Sequence, residues 1–483
     1  MAELDAARDE LVAALGADAV LHDPLALRLY ARDASMVEGS AGLVVFVRSA
    51  EDVVVCMQVA ARHDLPVVPR GSGTGLAGGA TPLADAIVVV TAKMNRMLEV
   101  RPEDRLAWVE PGVFNLDLGN ALRPTGFTYA PDPSSQQVSS IGGNVNTNAG
   151  GPHCLAYGVT SAHVLAVDVV LPDGSVGSFG SEAPAAPGYD LRGYVVGSEG
   201  TLGIVTGVCV RLTPLPPAVR TMLLDFADVE ECAQAVSAII ARGVVPAALE
   251  MMDRGIVSAV EAFVHAGYPT DAAAVLLVEV DGLPAGVEAQ TREVEAAARE
   301  HGVGTIRIAA DESERALLWK GRKSAFGAIA RIAPHYHLHD CVVPRKALAG
   351  VLSGVYAIAQ RHDLIVTNVF HAGDGNLHPL FSFDRSVPGT LERVLAASDE
   401  LVRLCVDAGG SLSGEHGIGL EKRDFMPLVF TAEDLDAQAC LRAAFDPDGR
   451  MNPRKVLPEG ARCGDYAAAA LGRDGVLPEG TWI

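Results

Sequence analysis

The sequence predicts an α+β protein with more than one domain. The chain has 483 residues, which is more than one hydrophobic core ordinarily supports. Apolar runs typical of strands alternate with segments whose apolar residues recur at helical spacing. The 50 glycines concentrate in a few loops, which indicates tight backbone geometry or close approach of a ligand. Together these observations favour packed sheets and helices that carry glycine-rich loops.

Periodicity places the individual elements. Helical spacing predicts helices over 4–16, 25–31 and 50–64. Strand-like runs at 42–49 and 65–70 flank the third helix, which indicates a βαβ unit. Further strand-like runs occupy 86–91, 106–113, 164–176 and 203–214, and the Asp-Gly pair in "LPDGSV" predicts a turn between strands. "TPLPP" (213–217) is a candidate domain boundary, after which strand and helix patterns alternate.

Composition excludes several classes of protein. The 38 basic and 60 acidic residues give a formal charge of -22, which argues against nucleic-acid binding. An anionic substrate stays compatible, because a few local arginines and a metal reverse the local field. The eight cysteines form no CxxC pair, so the chain carries no recognisable iron–sulfur or zinc-ribbon motif. The acidic N-terminus does not resemble a signal peptide and no apolar run is long enough to span a bilayer, so we expect a soluble cytoplasmic protein.

The glycine loop "RGSGTGLAGGATPL" (70–83) contains the spacing of a dinucleotide fingerprint, Gly73-x-Gly75-x-x-Gly78. That fingerprint requires a helix directly after the loop, whose N-terminus binds the pyrophosphate. Here Pro82 and a strand-like run follow, so we reject the Rossmann interpretation. A nest of backbone N–H groups would still bind phosphate, and a glycine-rich turn without a ligand remains the alternative.

Two further small-residue loops follow, "PDPSSQQVSSIGGNVNTNAGGPHCLAYG" (131–158) and "GSEGTLGIVT" (197–206). In this order the three loops resemble those of the FAD-binding domain of the vanillyl-alcohol oxidase (PCMH-type) flavoprotein family. The resemblance implies FAD contacts from Arg70, Gly71, Ser72, Gly73, Thr74, Gly75, Leu76, Pro133, Ser139, Gly142, Gly143, Asn146, Gly150, Gly151, Tyr157, Glu199, Gly200, Gly203 and Ile204.

The first loop lacks the histidine with which many members of that family bind flavin covalently. We therefore expect non-covalent FAD. His153 and Cys154 are the candidate exceptions, which mass spectrometry of the purified protein would detect.

Two histidine-containing loops lie in the C-terminal half, "HAGDGNLHP" (371–379) and "SGEHGIG" (413–419). A turn through "GDGN" would bring His371 and His378 together, whereas two unrelated polar loop residues are the alternative. His, His and Glu form a common catalytic zinc set that leaves one position open, and Glu415 would supply the carboxylate. His416 would then remain available as a base.

These loops resemble the hallmark motifs of the D-2-hydroxy-acid dehydrogenase branch of the same family, and "FDPDGRMNP" (445–453) resembles its closing flavin-contact segment. They are most similar to those of the FAD-containing catalytic subunits of glycolate oxidases. The resemblance implies a divalent metal, zinc with manganese or cobalt as alternatives, on His371, His378 and Glu415. It also implies a set of further roles, namely His416 as base, Asn376 beside the substrate, Arg322 on its carboxylate and Asn452 at the flavin.

The resemblance also implies a division of the chain. We expect an N-terminal helical segment (1–37) and a PCMH-type FAD-binding domain of two α/β subdomains (38–217). A substrate or cap domain with an antiparallel sheet and the metal site (218–440) follows, and then a C-terminal return to the flavin and a tail (441–483).

The activity that the resemblance implies is FAD-dependent oxidation of glycolate or D-lactate to the 2-oxo acid. The metal would assist deprotonation of the hydroxyl, and hydride would pass to flavin N5. A separate iron–sulfur subunit, or another acceptor protein, would take the electrons and bring the chain to the inner membrane face. The alternatives are a D-2-hydroxyglutarate-type dehydrogenase and a non-catalytic flavin-binding subunit. Leu338 stands where hydroxyglutarate-type members carry Lys, which favours a monocarboxylate.

Overall fold

The computed structural model describes residues 2–83, 85–183 and 187–459, so the predicted C-terminal tail lies almost entirely outside the described residues. The chain forms two compact units. The first unit combines segments from 1–149, 159–214 and 415–483, and the second combines 150–158 with 215–414.

The first unit contains a four-stranded sheet in the order Val20–Leu21, Ala41–Phe46, Ala86–Val90 and Val67–Arg70. The last three strands are parallel. Helix Ala50–Arg62 connects two of them, so the predicted βαβ unit is confirmed, and Ser49 caps this helix by accepting the N–H of Asp52. Between Gly78 and Ala86 the described residues form no helix, in agreement with the rejection of the Rossmann interpretation.

A second sheet in the first unit is antiparallel, in the order Met97–Arg101, Leu106–Val109, Ile204–Arg211, Val164–Val170 and Val176–Gly180. The predicted turn lies at Asp173 and Gly174, where Gly174 has φ +83°. Helices Asn115–Leu122 and Ile141–Thr147 bury their apolar residues against this sheet. The other helices and strands of the unit are Ala2–Leu15, Pro24–Arg28, Leu191–Val195, Ala432–Phe445, Phe127–Thr128 and Thr213–Pro214.

The second unit is built on one large antiparallel sheet, which confirms the α+β class. Its strands follow the order Val303–Ile308, Ala218–Phe226, Ala274–Gly282, Ala248–Asp253, Ile365–His371, Asn376–Leu377 and Cys341–Val342. Strand Pro379–Phe383 pairs with both Ile365–His371 and His335–Leu338. Its helices are Cys154–Tyr157, Val229–Ala241, Arg254–Val264, Pro284–Glu300, Glu312–Lys323, Ala325–Ala328, Leu348–Arg361 and Thr390–Asp407. None of the helices in the described ranges combines the length and the hydropathy of a membrane span.

The C-terminal segment returns to the first sheet of the first unit. Met451 pairs in parallel with Val67, and the N–H of Asn452 donates to the Val67 carbonyl at 2.7 Å. The segment "FDPDGRMNP" is therefore fixed to the strand that leads into the first glycine loop.

Candidate functional site

The turn between two strands of the second unit brings His371 and His378 together. His371 ends strand Ile365–His371 and His378 precedes strand Pro379–Phe383. The two buried imidazole rings meet edge to face with their centroids 5.2 Å apart. Gly375 makes the turn at φ +80°, where a Cβ would lie 2.2 Å from a backbone carbonyl oxygen.

Both rings are held through Nδ1. His371 Nδ1 lies 2.8 and 3.0 Å from the two carboxylate oxygens of Glu250, and His378 Nδ1 lies 3.1 Å from the carbonyl oxygen of His339. A carbonyl only accepts, so Nδ1 of His378 donates its proton in this contact, and Nε2 is the ring nitrogen left for a metal. Metal-binding histidines are oriented in this way by a carboxylate or a backbone carbonyl. The pair therefore fits a divalent cation such as zinc.

Glu250 is a fully buried carboxylate that the sequence analysis missed. It lies directly opposite His371 in adjacent antiparallel strands, and Arg322 Nη2 lies 2.5 Å from its Oε2. Arg322 is 1% exposed, and its Nε and Nη1 have no hydrogen-bond partner within the described part of the chain. An acidic residue in the otherwise apolar run "ALEMM" was the available signal.

Asp340 binds the start of the "SGEHGIG" loop in the second unit, and Asn376 lies against it. Asp340, fully buried, accepts from Ser413 Oγ at 2.6 Å and from the Gly414 N–H at 3.1 Å. A Cβ on Gly414 would lie 2.4 Å from the Asn376 amide nitrogen. The buried Oδ1 of Asn376 has no hydrogen-bond partner among the described residues. Glu415 follows Gly414 directly in the chain. Asp340 is a second buried carboxylate that the sequence did not predict as part of the site.

The first two glycine loops pack against each other in the first unit. A Cβ on Gly71 would lie 2.3 Å from Ser140 Oγ, and one on Gly142 would lie 2.5 Å from Pro111 Cβ. Gly73 has φ +72°, and a Cβ there would meet the Arg70 guanidinium at 2.1 Å. A side chain at any of these three positions would require its neighbour to shift, and Gly73 also has the positive φ that favours glycine.

Several buried side-chain polar atoms along these loops have no hydrogen-bond partner among the described residues. These atoms are Ser72 Oγ, Ser139 Oγ, Asn144 Nδ2 and Asn146 Oδ1. Leaving a buried polar atom unsatisfied costs about 1–3 kcal/mol, so these loops fit a polar ligand such as a dinucleotide cofactor. Arg70 is largely buried beside them, its Nη1 donates to the Arg32 carbonyl at 2.9 Å, and burial lowers the pKa of its guanidinium.

The other implied cofactor residues are divided between the two units. Thr74, Gly75, Leu76, Pro133, Gly143, Gly200, Gly203 and Ile204 lie in the first unit. Gly150, Gly151 and Tyr157 lie in the second unit. There Tyr157 Oη lies 2.5 Å from Asp281, and the His153 ring stacks on Trp319.

Glu199 and Asn452, both implied cofactor contacts, have side chains that bind backbone groups in the first unit. The Glu199 carboxylate accepts from the N–H groups of Ile418 and Gly419 at 2.6 and 2.8 Å. The Asn452 amide donates to the carbonyls of Gly79 and Glu199 at 2.8 and 2.7 Å. Burial raises the pKa of Glu199, and the two N–H donors oppose that shift. In the same unit, His416 Nε2 lies 3.9 Å from Glu415 Oε1.

Comparison with solved structures defines the class of fold. The chain superposes on the crystal structure of p-cresol methylhydroxylase with substrate bound, at a TM-score of 0.81. The superposition covers 95% of this chain and 98% of that one, and the two sequences are 17% identical. The chain thus has the PCMH-type fold that the sequence predicted.

Two protein-family models match this chain and together show its family. The model for an FAD binding domain matches residues 41–180, and the model for the C-terminal domain of FAD linked oxidases matches 215–456. The chain belongs to the FAD-linked oxidases and is an FAD-dependent oxidoreductase.

Two curated relatives cover nearly the whole chain. It is 46% identical over 426 residues to the glycolate oxidase subunit GlcD of Escherichia coli (strain K12), covering 88% of this chain and 85% of the relative. It is 30% identical over 447 residues to the D-lactate dehydrogenase of Anaerostipes hadrus, covering 90% of this chain and 92% of the relative.

Proposed function

We propose that this protein oxidises a small D-2-hydroxy acid, glycolate or D-lactate, to the corresponding 2-oxo acid. The observation that carries the proposal is the buried pair His371 and His378, which Glu250 and a backbone carbonyl orient as metal-binding histidines are oriented. The names of the relatives, a glycolate oxidase subunit and a D-lactate dehydrogenase, support this substrate class. The glycine loops would hold FAD non-covalently, and bound FAD would accept the two electrons of the oxidation.

The metal site of this proposal consists of His371, His378 and Glu415. A divalent cation held there, zinc with manganese or cobalt as alternatives, supplies the Lewis acidity that lowers the pKa of a substrate hydroxyl. Asp340 supports the placement of Glu415 because it fixes Ser413 and Gly414, the two residues that precede it. Glu250 and the His339 carbonyl keep Nε2 of each histidine as the ligating atom.

The remaining roles fall to three side chains. His416 accepts the hydroxyl proton, a step for which a positioned general base contributes about 10²–10⁴-fold. Arg322 binds the substrate carboxylate, since its buried Nε and Nη1 have no hydrogen-bond partner among the described residues. Asn376 orients the substrate through its amide, whose Oδ1 is likewise without a partner there.

A second carboxylate on the substrate is disfavoured by Leu338. This residue is buried and apolar in strand His335–Leu338, where it pairs with Leu380. An anionic group beside it would lose hydration without gaining a counter-charge from this residue. A small monocarboxylate is therefore preferred to 2-hydroxyglutarate, and the oriented histidine pair argues against a non-catalytic flavin-binding subunit.

Reduced flavin needs an electron acceptor. The E. coli relative is named as a subunit, which supports a partner for this chain also. We propose a separate iron–sulfur subunit or another acceptor protein, because no CxxC pair occurs in this sequence. The proposal also includes a cytoplasmic location, in which such a partner brings the chain to the inner membrane face.

The metal role is tested with His371→Ala and Glu415→Ala in the full-length, FAD-loaded protein. We expect both variants to lose the bound metal and to lose at least about 100-fold in turnover of glycolate or D-lactate, while FAD content is unchanged. His335→Ala, which removes an exposed imidazole from the same unit, is the matched control and should change neither quantity. Full turnover by a variant that contains no metal would rule out the proposed metal site.

A further inference from the structure

We propose that Glu199 is a positioning residue that fixes the turn carrying Glu415 and His416, and that its side chain is not a cofactor contact. The proposal rests on the proposed function for the role of His416 as base. Glu199 lies in "GSEGTLG", far from the turn in sequence. In the first unit, its carboxylate nevertheless binds the turn two residues after His416.

The contact uses both carboxylate oxygens. Oε1 accepts the N–H of Ile418 at 2.6 Å, and Oε2 accepts the N–H of Gly419 at 2.8 Å. The pair of bonds therefore fixes the orientation of two successive peptide groups beside His416.

The backbone of the turn packs closely against Glu199 and against the first glycine loop. Gly417 has φ +86°, and a Cβ there would lie 2.7 Å from Glu199 Oε1. Gly419 has φ +52°, and a Cβ there would lie 2.0 Å from the carbonyl oxygen of Ala77. The glycines of "EHGIG" thus allow the backbone to approach the carboxylate and the first glycine loop.

Glu199 is itself held rigidly. Its backbone has φ +52°, its N–H donates to the Asn146 carbonyl at 2.8 Å, and its carbonyl accepts from the Asn452 amide at 2.7 Å. A buried carboxylate fixed by its own backbone is a stable anchor for a turn. Substituting it should displace the turn, and a displacement of about 1 Å near a reacting group lowers the rate by about 100-fold.

The test uses Glu199→Gln in the full-length, FAD-loaded protein. Glutamine keeps the size but presents an NH₂ group to one of the two backbone N–H groups, so at least one hydrogen bond is lost. Glu110→Gln is the matched control, because Glu110 is a buried glutamate of the same unit that accepts the N–H of Arg96 at 2.7 Å. Three quantities are measured for each variant, namely hydrogen exchange of the 418 and 419 amides, FAD content and the anaerobic rate of flavin reduction.

We expect Glu199→Gln to lose exchange protection at Ile418 and Gly419 and to reduce its flavin about 10–100-fold more slowly, with FAD content unchanged. Glu110→Gln should match the wild type in all three. Retained protection at 418 and 419 would overturn the proposal. So would loss of FAD combined with a normal reduction rate in the fraction that still binds FAD, because that result identifies a cofactor contact.

The test also has a decisive result if the variant does not fold or if no hydroxy acid reduces the wild-type flavin. If Glu199→Gln does not fold, Glu199→Asp, which shortens the side chain by one methylene and withdraws the carboxylate from the two N–H groups, takes its place, and retained protection at 418 and 419 overturns the proposal equally. If no hydroxy acid reduces the wild-type flavin, the proposed function fails. The exchange comparison then still decides whether Glu199 anchors the turn.

Discussion

At the scale of single residues, Glu250 controls the state of a proposed metal ligand. Its carboxylate accepts from His371 Nδ1 and lies beside the Arg322 guanidinium, so three charged or polar groups form one buried chain. Removing the charge of Glu250 weakens the preference of His371 for the Nδ1–H form and leaves Arg322 without its counter-ion. The consequences for metal binding and for folding are separate and measurable.

We expect Glu250→Gln to lower the affinity for the metal by about 10–100-fold, as loss of a carboxylate partner of a ligating histidine does. Breaking a buried ion pair should also destabilise the protein by about 3–5 kcal/mol. A competition titration with a chelator measures the first effect, and denaturant unfolding measures the second. Glu110→Gln, which removes a buried carboxylate paired with Arg96, is the control for metal affinity. Equal metal affinity in both variants would contradict the role given to Glu250.

At the scale of elements, the local pattern of apolar residues predicted the helices and strands whose positions depend on local burial. Strand Ala41–Phe46 was predictable because it is a short apolar run that is buried along almost its whole length, and helix Ala50–Arg62 because its buried residues recur at helical spacing. The partners of the site were not predictable in this way. Glu250 faces His371 only because two strands far apart in sequence pair in that register, and Asp340 reaches Ser413 by the same kind of long-range contact. The motif residues were predictable from resemblance, whereas the groups that orient them required the fold.

The turn that starts at Ser413 depends on Gly414 for its position beside Asn376. We expect Gly414→Ala to slow flavin reduction by about 10–100-fold, since its Cβ would lie 2.4 Å from the Asn376 amide. Gly350→Ala is the control, because a Cβ there meets nothing within 4 Å in helix Leu348–Arg361. Anaerobic stopped-flow absorbance measures both. Equal rates in the two variants would show that Gly414 tolerates a side chain and that Asn376 is not positioned by this contact.

At the scale of the whole molecule, the proposed function requires an acidic chain to bind an anionic substrate. The formal charge is -22, so attraction would have to come from local groups such as the buried Arg322 and the proposed cation. Composition alone argued against nucleic acid as a ligand but did not identify this arrangement. Resemblance predicted the family, yet it grouped Tyr157 with the other cofactor loops, whereas the structure assigns 150–158 to the second unit. That assignment follows from contacts such as the one between Tyr157 and Asp281, which no sequence pattern indicates.

The proposed function requires a metal-dependent site on this chain that delivers electrons from a small D-2-hydroxy acid to FAD. The most direct test is anaerobic absorbance at the flavin bands, titrated with glycolate, D-lactate and L-lactate, before and after metal removal and with zinc added back. We expect glycolate or D-lactate, but not L-lactate, to bleach the flavin. Bleaching should be lost when the metal is removed while FAD stays bound, and it should return with zinc. A yellow, zinc-supplied protein that none of these acids bleaches would rule out the proposed function.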